Sequence, residues 1–150
     1  MTRKQSAPEV RIAAECYSLP LRLIHRVVTG IYDEALRPFG LRVAQLNLMV
    51  AIAKMGGQAT AAGVGKFLLI EKSTLSRDLE RMLQRGWIER ASDGRSRRLH
   101  VTEEGRRLLE RTLPAWEKAQ SQAQRLLGKA TMGPIKAAAD RIRARKSRAG

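Results

Sequence analysis

Five side chains that can donate hydrogen bonds, Lys72, Ser73, Thr74, Ser76 and Arg77, crowd the head of one amphipathic segment. On a helical period Leu75, Leu79, Met82 and Leu83 form an apolar stripe, and the donors lie on the other side. A donor-rich helix start suits two kinds of contact. Its side chains can address base edges in a major groove, and the positive end of its dipole attracts phosphate. Further along, Arg95, Arg97 and Arg98 follow an Asp93-Gly94 pair. Guanidinium groups beside a turn suit the DNA backbone or a narrow minor groove.

No other constellation competes. The sequence has no glycine-rich phosphate loop, no nucleophile elbow and no histidine–carboxylate pair near a serine or cysteine, so no enzyme is expected. His25 and His100 are far apart in the chain and lack partners at ligand spacing, so neither a metal nor a cofactor is expected. Trp87 and Trp116 read as core or interface residues. The single cysteine excludes an intrachain disulfide.

The elements that must hold these groups are legible from period and punctuation. Ile12, Leu19, Leu23, Val27, Ile31 and Ala35 predict a long helix over 11–36, which Pro20 must kink or delay. A nearly all-apolar helix over 42–55 should be buried, with Gly56-Gly57 ending it. Thr60 caps a short helix over 61–68 whose Gly63 and Gly65 weaken it, so packing must hold it. A three-residue link, 69–71, leads to the donor-bearing helix over 72–85, stopped by Gly86. The period then shifts to two over 87–90 and 98–101, a hairpin around Asp93-Gly94. Thr102 caps a long helix to about Gly128, and a last helix begins near Pro134 and runs into a basic tail.

This order predicts a mainly α protein with a small two- or three-stranded antiparallel wing. It is a winged helix-turn-helix with long N- and C-terminal dimerisation helices. One domain covers 1–150, with the dimerisation helices over about 11–36 and 106–145, the DNA-binding lobe over about 42–105, and flexible ends at 1–10 and 146–150. The apolar stripes of the flanking helices exceed what one small lobe can cover, which predicts a homodimer.

Charge points the same way. The 150 residues carry 29 Lys and Arg against 14 Asp and Glu, a net charge of +15. Such an imbalance favours a polyanionic partner, nucleic acid first and an anionic membrane surface second, and with the helix-turn-helix the nucleic acid expected is double-stranded DNA. Residues 136–150 alone hold six basic residues and only Asp140. No apolar run is long enough for a bilayer and no secretory signal is visible at the start, so a cytoplasmic protein without membrane contact is expected.

The run Thr74-Leu75-Ser76-Arg77-Asp78-Leu79, then Leu83-Gln84-Arg85-Gly86-Trp87-Ile88-Glu89-Arg90, resembles the multiple-antibiotic-resistance regulator (MarR) family. So do Asp93, Arg95 and Arg97, the closing Val101-Thr102-Glu103-Glu104-Gly105, and Gly40-Leu41-Arg42-Val43-Ala44-Gln45-Leu46 ahead of them. The resemblance covers roughly 12–128. It implies a transcriptional regulator, usually a repressor, that binds a pseudo-palindromic operator as a homodimer. In many members a small aromatic or lipophilic molecule releases the DNA. The short hairpin and the two glycines at 63 and 65 depart from the family pattern.

The resemblance also singles out Cys16, because peroxide-sensing members carry a reactive cysteine near the start of the first helix. The plainer reading of a lone helical cysteine is a small buried apolar residue. One rival explains the charge equally well: a basic architectural protein that coats nucleic acid without reading sequence. It leaves the ordered helices and hairpin unexplained.

Overall fold

The computed structural model describes residues 7–91 and 97–148. The chain enters through α1 (Pro8–Glu15) and α2 (Ser18–Leu36) rather than through one long helix. The break has a local cause. Inside a continuous helix Pro20 would leave the carbonyl of Cys16 without a donor and press its ring against it. The chain instead turns extended at Cys16, and Pro20 falls in the first turn of α2, where no backbone donor is needed. Cys16 therefore sits half-exposed at a helix junction, not buried within a helix. Pro8 at the first position starts α1 inside a stretch expected to be flexible.

A single 3-10 turn, Arg37–Phe39, leads to Gly40, whose φ of 66° lets the chain reverse into α3 (Val43–Lys54). The carboxylate of Asp33 accepts from the Val43 backbone N–H at 2.8 Å and Gln45 from that of Arg42 at 3.1 Å, so two orphan donors at this helix start are satisfied. Leu48, Met49 and Ile52 of α3 are fully buried and form the centre of the core. The expectation of a wholly buried helix fails on its outer side, where Ala44, Asn47, Val50, Ala53 and Lys54 are exposed.

Around α3 lie α4 (Ala61–Leu68), α5 (Lys72–Gln84), β1 (Ile88–Arg90) and β2 (Leu99–Val101). The strands pair antiparallel as Ile88↔Val101, Glu89↔His100 and Arg90↔Leu99. The sheet is two-stranded, with a single bridge between Thr60 and Arg98 where a third strand would lie. Ile88, Leu99 and Val101 point into the core, while Glu89 and Arg90 face solvent.

Thr102 accepts from the Gly105 backbone at 3.0 Å and opens α6 (Glu103–Leu127). A 3-10 turn, Lys129–Thr131, then joins it to α7 (Met132–Arg148), which carries the basic tail as helix through its last described residue. α2 packs against α6, where Tyr32 stacks on Trp116 with ring centroids 6.5 Å apart and donates its hydroxyl to Gln120. Burial raises the Tyr32 pKa above its ordinary value.

Several apolar side chains are left uncovered. Ile12, Leu19, Leu21 and Leu23 of α1 and α2 are more than half exposed, as are Leu113 and Leu126 of α6. No helix is long and apolar enough to cross a membrane among the described residues.

Candidate nucleic-acid interface

The turn between α4 and α5 sets the geometry of the site. Leu69 closes α4 in a left-handed conformation, φ 54°, which is unfavourable for leucine. Its amide, followed by that of Ile70, bonds back to the Gly65 carbonyl, and the chain re-enters helix at Lys72. Gly65 is what lets the two helices cross closely: a Cβ there would lie 2.9 Å from the Leu75 side chain. Gly63 occupies the cap, its N–H donating to Thr60 Oγ1 at 3.0 Å. The glycines that weaken α4 as an isolated helix are thus the residues that fit it to its neighbours.

α5 is presented as the sequence predicts. Leu75, Leu79 and Met82 are buried, with Leu83 half-buried beside them. Lys72, Ser73, Thr74, Ser76 and Arg77 are all exposed. Among the described residues, neither Lys72 nor Arg77 is engaged in an ion pair or side-chain hydrogen bond. Further along the helix the charges are already satisfied, with Arg81 3.8 Å from Asp78 and Glu80 bonded to Gln84. The free donors therefore gather at the positive end of the helix dipole, where an anion is favoured.

The wing is tied to this unit through the main chain. The Leu99 N–H donates to Ala59 O at 2.8 Å, while within the wing the Ala91 N–H donates to Arg98 O at 2.9 Å. Arg97 and Arg98 are exposed just before β2 begins. Arg95 lies outside the described residues, as do Asp93 and Gly94.

A cleft of about 1020 Å³ runs between α4, α5, the wing and the end of α7. Leu69, Ile70 and Leu75 lie along it, and Lys72, Arg90 and Arg97 stand around it. Lys66 and Lys146 join them, two residues that sequence reasoning did not single out. Lys66 sits in a short helix read only for its cap and glycines. Lys146 was visible as part of a basic tail, but nothing local shows where a tail folds.

Another contact not foreseen braces the far end of α5. Arg85 stacks over Trp87 at 5.0 Å from the ring centroid and donates to the Gly40 carbonyl at 3.3 Å. It connects α5 to the turn between α2 and α3. Cys16 lies at the junction between α1 and α2, outside the elements that form this site. Among the described residues no cluster of His, Cys, Asp and Glu is suited to hold a metal.

Residues 39–99 match the model of the MarR family. No curated protein shows significant sequence similarity to the chain. Among solved structures, the transcriptional regulator MosR of M. tuberculosis is 26% identical, with a TM-score of 0.69 over 84% of this chain and 96% of its own. CouR from Rhodococcus jostii RHA1, bound to p-coumaroyl-CoA, is 22% identical, with a TM-score of 0.71 over 87% of this chain and 93% of its own. A mutant MarR from E. coli complexed with operator DNA is 16% identical, with a TM-score of 0.72 over 87% and 96%. The last two share the fold.

Proposed function

We propose that the chain is a MarR-family winged-helix regulator, as the family match over residues 39–99 and the likeness to MosR support, and that it acts as a homodimeric repressor on a pseudo-palindromic operator. The observation that carries this reading is the orientation of α5. Its apolar stripe is buried, and Lys72, Ser73, Thr74, Ser76 and Arg77 face outward at its N-terminal end. Side chains so placed reach base edges when the helix enters a major groove. Arg97 and Arg98, and Arg95 close to them in sequence, take the backbone or minor groove beside it.

Dimerisation is supported by the exposed apolar residues of α1, α2 and α6. A two-fold axis through those helices sets two copies of α5 into successive major grooves, about 34 Å apart. The operator complex of the E. coli relative supports the same mode of binding. Repression then follows from occupying DNA that the transcription machinery needs.

Release by a small aromatic or lipophilic molecule belongs to the same proposal, supported by the p-coumaroyl-CoA bound to CouR. An oxidant acting on a thiol has Cys16 as its one target. Loss of DNA affinity on mild peroxide treatment, abolished by Cys16→Ser, is the signature of that route.

The test is selection of bound fragments from the source genome under excess competitor DNA. A regulator retains a discrete set of sites with a shared two-fold motif. A protein that coats DNA returns fragments without a motif, and that result overturns the proposal.

A further inference from the structure

Helix α7 is docked on the DNA-reading lobe of its own chain. The guanidinium of Arg143 stacks on the Phe67 ring at 4.5 Å from its centroid and donates to the Phe67 carbonyl at 3.4 Å. Asp140 holds the same guanidinium from one turn earlier, at 3.1 Å. Phe67 lies in the last turn of α4, where the helix dipole favours a cation. This anchor carries the end of α7 to the cleft beside α5, and Lys146 becomes part of the cleft wall.

The charge around that cleft is one-sided. Lys66, Lys72, Arg90, Arg97 and Lys146 surround it, against Glu71 and Glu80. Among the described residues none of these five cations is held in an ion pair. Like charges drawn around one groove repel one another unless an anion enters. The five come from α4, α5, the wing and α7, so the matching anion must be extended and multiply charged. A nucleic-acid backbone has that chemistry.

We propose that α7 is a third DNA-contacting element beside the reading helix and the wing, with Lys146 binding a backbone phosphate and Arg143 acting as the residue that positions it. The proposal rests on the regulator reading above. It adds a sequence-independent contact: Lys146 strengthens binding to any duplex and leaves base choice untouched. Arg141, Arg145 and Arg148 are exposed on the same helix and strengthen its field.

The experiment is a salt titration of binding by fluorescence anisotropy, with the full chain, on a mixed-sequence duplex and on the selected operator. Lys146→Ala should weaken both by the same factor and flatten the plot of log affinity against log salt by about one unit per protomer. Arg143→Ala should reproduce that flattening, and adding Lys146→Ala to it should cause little further change. Melting curves show whether the variants stay folded, and Lys146→Ala at an exposed position serves if Arg143→Ala does not. A parent protein that binds neither duplex sinks the regulator reading itself. A parent that binds while Lys146→Ala keeps the full salt slope overturns this proposal alone. Tighter binding by Lys146→Ala also overturns it, because α7 would then shield the reading helix.

Discussion

The start of α6 lies against the carbonyl of Trp87 so closely that a Cβ on Gly105 would fall 2.1 Å from that oxygen. The approach is fixed from both sides. The Thr102 N–H donates to Trp87 O at 3.1 Å, and the Thr102 hydroxyl donates to the Gly86 carbonyl at 2.5 Å. Together these bonds fasten the exit of α5, the wing and the long helix α6 into one unit.

Gly105→Ala therefore forces the backbone of the wing away from α6. The expected cost is about 3 kcal/mol, at the upper end of the range for overpacking a well-packed site. Urea denaturation measures it, and a loss under ~0.5 kcal/mol would show that the junction yields easily.

Arg77 and Arg97 are expected to fail in different ways. Arg77→Ala should cut the preference for operator over mixed-sequence DNA by about 1–3 kcal/mol, the value of a good base contact. Arg97→Ala should weaken both alike. Competition binding separates the two, and equal loss on every sequence after Arg77→Ala contradicts its assignment to base reading.

Leu69, in its left-handed turn, offers a test that inverts the usual order of substitutions. Glycine tolerates φ of 54°, whereas a β-branched residue is strongly disfavoured there. Leu69→Gly should stay within about 1 kcal/mol of the parent, and Leu69→Val should be the less stable of the two despite keeping more apolar surface. Thermal melts of both variants decide, and the reverse order refutes the strain.

The uncovered apolar residues of α1, α2 and α6 predict a dimer that charge can split. Leu23→Lys combined with Leu126→Lys should move the protein from dimer to monomer in sedimentation, with the helical content of the lobe retained. An unshifted dimer would place the interface elsewhere.

Tyr32 links stability to alkaline pH. Its pKa is raised by burial from the ordinary 10.0, so above that value the unfolded chain releases this proton before the folded chain does. The folded state then binds more protons, and the contribution of Tyr32 to stability falls as pH rises past about 10. Tyr32→Phe, which loses the bond to Gln120, should cost about 1 kcal/mol at neutral pH, a deficit that shrinks above pH ~10. Denaturation at both pH values gives the difference, and a Tyr17→Phe background leaves Tyr32 as the only phenol to titrate by absorbance.

Local rules in the sequence determined most of the elements and the amphipathic character of α5. Thr60 and Thr102 cap where their side chains can reach the next turn, Gly86 stops α5, and the stripe of Leu75, Leu79 and Met82 leaves Lys72 to Arg77 outside. Each depends on neighbours within a turn or two, so the order of residues suffices. The break at Cys16 was half legible, since Pro20 announced a fault without placing it. Tertiary structure alone decided what crosses between elements. Gly65 looks like a weak helix residue, and the place of Gly105 has no evident reason, until Leu75 and the Trp87 carbonyl are set against them. The basic tail has the same composition wherever it lies, and only the packing of Arg143 on Phe67 brings Lys146 beside α5. Contacts of that kind join residues far apart in the chain, and no period or cap encodes where two distant helices meet.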